Sequence, residues 1–243
     1  MCPPNDPAPF ETLWGTVGPG QGRADVWLPP HFTHGRRWPL LVFLHGYGER
    51  GRDGEHLPVG LGPVLAEDPG RFPGIVVMPQ CPADRVWVSI DRSWSVGMPD
   101  AEDHIDAAVA AVAGRYPVDR ARIALTGLSM GGFAVFVHGA RRTGSYRAMA
   151  AVCGGGRPED GEVLSRVPLW VLHGALDELV PVAESRRMVD AIRAAGGGSL
   201  RYTEYPDLGH RSWDRAYREP GLLEFLCGDG ADGTIAEPRS GVR

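Results

Sequence analysis

Ser129 stands in Gly127-Leu128-Ser129-Met130-Gly131-Gly132, after a short apolar run (residues 122–126) and before Phe133, Phe136 and Val137 at helical spacing. A chain that reverses this sharply from strand to helix has no room for side chains beside the serine, which explains the glycines, and it holds the hydroxyl clear of the sheet. A hydroxyl is a weak nucleophile at its own pKa and needs a base within hydrogen-bond reach. Two later loops can supply that base and its support. Residues 168–172 read as a buried strand running into His173-Gly174-Ala175-Leu176-Asp177, and residues 200–205 alternate as a strand running into Pro206-Asp207-Leu208-Gly209-His210. Both groups fall just past a strand's carboxyl end, where open α/β sheets carry functional side chains. Ser129 is therefore the candidate nucleophile and His210 the base. Asp177 is the carboxylate that fixes the imidazole tautomer and stabilises the imidazolium.

A fourth component lies near the front. Leu40-Leu41-Val42-Phe43-Leu44 is apolar without alternation, as expected of a strand covered on both faces, and it ends in His45-Gly46-Tyr47-Gly48-Glu49-Arg50-Gly51. A loop in this place supplies one backbone amide to an oxyanion hole and the residue after the nucleophile supplies the other, here Tyr47 and Met130. Amides fixed in this way stabilise the charge that develops on a carbonyl oxygen. His45 and His173 also follow strands, but both precede Asp177 in the chain and read as supporting residues that pack near the site. Glu178 points elsewhere from the Asp177 loop, and Asp207 shapes the turn before His210. Glu49 and Arg50 either orient the oxyanion loop or are exposed loop charges. Trp87, Trp94 and Trp213 are candidate walls of a substrate pocket, core packing being the competing role for each. Trp94, on a long loop, is foremost among them.

The elements that must position these groups follow from periodicity. Residues 24–28, 74–78 and 147–152 read as further strands, and residues 101–115 as a helix with Ile105, Val109 and Val112 on one stripe and acids in its first turn. Residues 183–195 form the helix after Asp177, and residues 212–226 a single last helix. Strands alternating with helices favour a mostly parallel sheet covered on both faces, an α/β architecture. Residues 1–22 read as an irregular N-terminal segment, 23–227 as one catalytic domain and 228–243 as a disordered tail. The segment 154–167 is too short, and too rich in Gly, Pro and charge, for a helical lid.

Composition removes several classes of chemistry. All 25 cationic side chains are arginine; without lysine there is no Walker lysine, no pyridoxal Schiff base and no Ser–Lys dyad. Asn5 is the sole asparagine, so an oxyanion hole must rely mainly on backbone amides. A formal net charge of −5 gives no electrostatic case for nucleic acid or an anionic membrane surface. Cys2, Cys81, Cys153 and Cys227 lack metal-ligand spacing, so no metal and no cofactor are expected. Reduced thiols are the expected state, a Cys81–Cys153 bridge being the alternative. No basic, apolar leader opens the sequence and no apolar run reaches membrane length, which makes the cytoplasm the expected location.

Taken together, these motifs resemble the α/β-hydrolases, in their dienelactone-hydrolase-like and phospholipase/carboxylesterase-like branch. The likeness is greatest to the esterase-like group of "predicted peptidases". It is carried by residues 44–51, 127–132, 173–181 and 209–217 and spans roughly residues 24–227. The resemblance implies an α/β-hydrolase fold without a lid domain and a metal-independent serine carboxylesterase. Such an enzyme hydrolyses small to medium soluble esters through an acyl-enzyme. Two rivals stand beside it: a serine peptidase acting on short peptides, and a non-catalytic binding module on a hydrolase scaffold. The elbow holds serine, against a cysteine hydrolase of dienelactone type. Oligomeric state is not legible.

Overall fold

The structure, a computed structural model, describes residues 10–17 and 22–228. In chain order these form β1 (Phe10–Val17), β2 (Gly22–Trp27), β3 (Trp38–Leu44), α1 (Leu61–Glu67), β4 (Ile75–Gln80), α2 (Glu102–Arg115), β5 (Val118–Leu128) and α3 (Met130–Arg141). They continue with β6 (Ala148–Val152), α4 (Gly161–Leu164), β7 (Leu169–Gly174), α5 (Ala183–Ala194), β8 (Leu200–Tyr205), α6 (Trp213–Ala216) and α7 (Leu222–Cys227). The strands make one sheet in the order β1-β2-β4-β3-β5-β6-β7-β8. Only β2 runs against its neighbours; the pairings from β4 through β8 are all parallel.

The unbroken apolar run of β3 divides between two cores because successive side chains point to opposite faces. Leu40, Val42 and Leu44 pack with Ile105 and Val112 of α2, with Phe133 and Phe136 of α3 and with Met188 and Ile192 of α5. Leu41 and Phe43 pack with Leu61 and Leu65 of α1 and with Tyr217, Leu222 and Leu226 near the C-terminal end. On α2 the buried stripe is His104, Ile105, Ala108 and Val112, with Val109 only half-buried. This is the two-faced parallel sheet that the periodicity implies.

Three expectations require correction or fall outside the described residues. Residues 1–22 are not irregular throughout: Phe10–Val17 is a strand paired antiparallel with β2, from Phe10↔Trp27 to Val17↔Gly22. Its anchors are tertiary, with the Phe10 ring 5.1 Å from that of Trp27 and Leu13 buried in the core. Residues 212–226 are not one helix. Pro220, which has no N–H to donate, and Gly221, with φ of +83°, separate α6 from α7. Of the expected tail at 228–243, Gly228 caps α7 and residues 229–243 lie outside the described residues.

A polar cluster is buried under β2 and β4. Asp25 accepts from Thr12 Oγ1 at 2.5 Å and from Arg23 Nε at 2.7 Å, and His56 Nε2 lies 3.3 Å from its Oδ2. Burial opposes the charge on Asp25, but the bonds from His56, Arg23 and Thr12 outweigh it and hold the carboxyl at about 2. Nearby, His45 is fully buried. Burial and the adjacent His56 push its imidazole down to about 3.

The turn between β5 and α3 is held by close backbone approach. A Cβ on Gly131 would stand 2.1 Å from the Leu44 carbonyl oxygen, at the end of β3. Gly131→Ala should therefore lower the urea unfolding free energy by about 3 kcal/mol through overpacking. Gly114→Ala, in α2 with nothing within 4 Å of its added methyl, should instead raise it by about 0.5 to 1 kcal/mol.

The buried His45 and Asp25 also set an acid limit. An unfolded imidazole takes up its proton near 6.5, whereas folded His45 resists down to about 3, so unfolding between those values consumes a proton. Stability should be level above neutrality, fall as pH drops below 6.5, and fall faster below 3.8 as Asp25 loses its contribution. Urea midpoints measured across this range should show that decline, and His45→Gln should flatten its upper part.

Candidate active site

Ser129 caps the end of β5 with φ 53° and ψ −117°, a conformation that costs a non-glycine residue about 1 to 3 kcal/mol and persists only where the surroundings enforce it. Here its N–H donates to Val152 O at 2.9 Å and its carbonyl accepts from Phe133 N at 3.0 Å, fixing the turn on both sides. The side chain points into a cleft of about 370 Å³ at the carboxyl ends of the strands.

The structure brings Ser129, His210 and Asp177 together from three separate strand ends. His210, in the turn after β8, places Nε2 3.0 Å from Ser129 Oγ and Nδ1 2.7 Å from Asp177 Oδ2. A carboxylate only accepts, so Nδ1 carries the proton. Nε2 is left with its lone pair facing the serine hydroxyl. That is the tautomer required of a general base.

Asp177, in the loop after β7, is held at both oxygens. Its Oδ1 accepts from the amides of Leu179 at 3.0 Å and Val180 at 2.9 Å; Oδ2 faces His210 and, at 3.2 Å, His173 Nε2. Burial alone would raise its pKa, but the hydrogen bonds from His173, His210 and Val180 outweigh it and keep the carboxyl charged far below the usual range. His173 is thus more than packing. It is fully buried, its Nδ1 stands 2.7 Å from Ser185 Oγ, and its Nε2 is shared between Val180 O at 2.9 Å and the same Asp177 oxygen that faces His210. Glu178 is exposed, as expected, and Asp207 binds Arg215 at the surface.

Tyr47 and Met130 both border the cleft beside Ser129. The loop that carries Tyr47 is braced from below by His45. Cys81 N–H donates to His45 Nε2 at 2.9 Å, so Nδ1 holds the ring proton and donates it to Gly46 O at 2.7 Å. Trp94 lines the cleft, with its ring 5.5 Å from that of Phe133, and Trp213 lines it with its ring edge-on to His210 at 5.3 Å. Trp87 does not. It is fully buried, donating from Nε1 to His45 O at 3.0 Å with its ring 5.0 Å from the imidazole, so it supports the loop as part of the core.

Phe133, Leu179, Val180 and Glu49 complete the walls. Helical periodicity assigns Phe133 to the core, which hides its second role. Leu179 gave a usable signal: a large apolar residue in a polar loop two positions after the candidate acid. Tyr47, Val96, Leu176 and Leu179, the exposed large apolar side chains among the described residues, all belong to loops at this end of the sheet. The segment 154–167, a 3₁₀ turn at Pro158–Asp160 followed by the one-turn α4, provides no lid domain.

Cys81 and Cys153 are buried and unbridged, so the Cys81–Cys153 bridge does not form; Cys227 is buried too, and Cys2 lies outside the described residues. Cys153 brings its sulfur within 4.8 Å of ligand atoms of Asp177 and His210, a grouping its spacing in sequence did not suggest. The fit to a metal is poor. Burial drives the thiol toward its neutral form, and His210 Nδ1 is committed to Asp177. Among the described residues no helix is long and apolar enough to cross a membrane.

The chain is similar to known esterases in sequence and fold. Over 127 residues the chain is 32% identical to a protein from Methylorubrum extorquens named for carboxymethylenebutenolidase activity, covering 46% of this chain and 42% of that one. A thermostable esterase superposes with a TM-score of 0.80 at 29% identity, over 90% of this chain and 62% of its own. The feruloyl esterase module of Clostridium thermocellum, solved with sinapinate, gives 0.67 at 17% identity, over 89% of this chain and 87% of its own, a likeness of fold. The chain thus spans 42% and 62% of the first two proteins, less than two thirds of each. The family description of phospholipases and carboxylesterases fits residues 73–220, more than half the chain and the stretch that carries Ser129, Asp177 and His210. The protein belongs to the phospholipase/carboxylesterase family, with the α/β-hydrolase fold.

Proposed function

We propose that the protein is a serine carboxylesterase acting on small to medium soluble carboxylic esters, including short-chain acyl and aryl or cinnamoyl esters. The observation that carries this reading is the continuous hydrogen-bonded path from Ser129 Oγ through His210 to Asp177, opening on an apolar cleft. Ser129 attacks the ester carbonyl while His210 Nε2 takes its proton. The amides of Tyr47 and Met130 stabilise the oxyanion of the tetrahedral intermediate. His210 then protonates the leaving alcohol, and water releases the acyl group by the same steps in reverse roles. Asp177 holds the Nδ1–H tautomer and stabilises the imidazolium at each stage. No step requires a metal or other cofactor.

The aromatic faces of Trp94, Phe133 and Trp213 support an apolar acyl or alcohol body, and the apolar rim supports substrates that arrive without an opening step. The peptidase alternative is not favoured, since the peptidases among structurally similar proteins share the fold at 13–18% identity. A non-catalytic module has no need of a base in the tautomer that His210 adopts.

Ser129→Ala and His210→Ala should each reduce turnover of a chromogenic ester by about a millionfold, as when a triad acting as one unit is broken. Circular dichroism should show the fold intact. Asp177→Asn should cost about four orders of magnitude by allowing the wrong tautomer, whereas Glu178→Gln should change turnover little. More than a few per cent residual activity in well-folded Ser129→Ala excludes the assignment.

Acyl-chain length offers a second check. Each methylene buried in the cleft contributes about 0.8 kcal/mol, and chains longer than the cleft gain nothing further. Efficiency should therefore peak at short or medium acyl chains and show no jump when the substrate passes its solubility limit. Activation at an emulsion of long-chain triglyceride is the opposing result.

A further inference from the structure

Among the described residues Glu49 is the one carboxylate that lines the cleft; around it stand the rings of Tyr47, Trp94, Phe133 and Trp213. The Glu49 side chain is 21% exposed, and its Oε2 is wholly buried without a hydrogen-bond partner. It lies close to the nucleophile. A methyl built on Gly46 would fall 2.8 Å from Glu49 Oε2 and 3.6 Å from Ser129 Cβ.

The cationic side chains nearby are committed elsewhere. His45 Nδ1 is 3.9 Å from Oε2, but that proton goes to Gly46 O and the ring is neutral. Arg50 directs Nε to Tyr47 O and one terminal nitrogen to Arg85 O, and its guanidinium stacks on the Tyr47 ring at 3.4 Å. Arg92 pairs with Glu184 at 2.6 Å. Burial raises the proton affinity of Glu49, while the amides of Gly46 and Glu49 and the imidazoles of His56 and His210 pull the other way. Asp53, the next acid on the loop, accepts from Gln80 and from the Glu55 amide, which keep it below its ordinary range.

We propose that Glu49 sets the charge class of the substrate: the site takes esters that are uncharged or cationic near the reacting carbonyl and turns away esters bearing a carboxylate there. This rests on the esterase reading and narrows it. An anionic ester entering the cleft loses hydration and meets a carboxylate where no arginine is among the described lining residues, both unfavourable. A cationic group meets that carboxylate and a set of aromatic faces, both favourable. At about 6 Å and an effective dielectric of about 20, one such charge pair amounts to about a hundredfold in kcat/KM; partial solvent access reduces this to about tenfold.

The test uses three chromogenic esters of one acyl chain that differ in a single substituent: a carboxylate, a neutral group or a trimethylammonium. Wild-type protein and E49Q are assayed at low ionic strength on the alkaline side of neutrality, with active sites counted by a phosphonylating reagent. In the wild type the carboxylate ester should fall about tenfold below the neutral one, mainly in KM, and the gap should close in about 1 M salt. E49Q should raise the carboxylate-to-neutral ratio about tenfold and lower the ammonium-to-neutral ratio. Ratios taken within one enzyme cancel any loss common to all three substrates. The salt series needs only wild-type protein, so it decides the matter if E49Q folds poorly. Equal ratios in the two proteins, or a wild type that prefers the carboxylate ester, overturn the proposal. Hydrolysis by Ser129→Ala at the wild-type rate marks failure of the esterase reading instead; an inactive Ser129→Ala with unchanged ratios marks failure of the role given to Glu49 alone.

Discussion

Between the end of β3 and the first turn of α3 there is no side chain: Gly131 meets the Leu44 carbonyl backbone to backbone, and Gly132 meets Val152 O of β6 in the same way. These two contacts wedge the Ser129 turn between the strands on either side of β5. The loop that follows β3 is thereby brought alongside Ser129, and the β6 end supplies the carbonyl that fixes the Ser129 amide. The strained backbone at Ser129 survives because both neighbours over-determine it. Any methyl at Gly131 would move the β3 loop and the serine apart together.

Around this wedge the protein handles two buried acids and one half-buried acid in different ways. Asp25 is matched by an arginine, a histidine and a threonine; Asp177 has two amides and two imidazoles. Both stay ionised despite burial because the donors outweigh desolvation. Glu49 has no comparable set, and it is the one that borders the cleft. Asp25 and Asp177 are satisfied by their donors, whereas Glu49, at the cleft wall, keeps an oxygen without a hydrogen-bond partner.

Much of the site was legible in the sequence because its groups sit at strand ends, and strand ends are marked by abrupt changes in apolar pattern. The runs before His45, Ser129, Asp177 and His210 each stop within a few residues of the group they position. What escaped was tertiary. Trp87 lies on a loop that folds back under His45, and no local pattern reports that return. The strand Phe10–Val17 is specified by its partner β2 more than by its own Pro- and Gly-flanked surroundings. Pro220 was a readable helix break whose signal was overridden by the apolar periodicity on either side of it. Glu49 was legible as a loop charge, but its unpartnered buried oxygen required the path of the whole loop.

The contact between His210 and Ser129 joins residues 81 apart in the chain, and the strands that carry His210 and Asp177 are the last two at that edge of the sheet. Parallel strands pair only across long connections, so closing them is a slow, high-contact-order event. The relay therefore does not exist in any partly assembled form that lacks β7 and β8, however well the front half has collapsed. During synthesis or refolding, closure of the Ser129–His210 contact is a timestamp for completion of the sheet, independent of the secondary structure that earlier spectroscopic signals report.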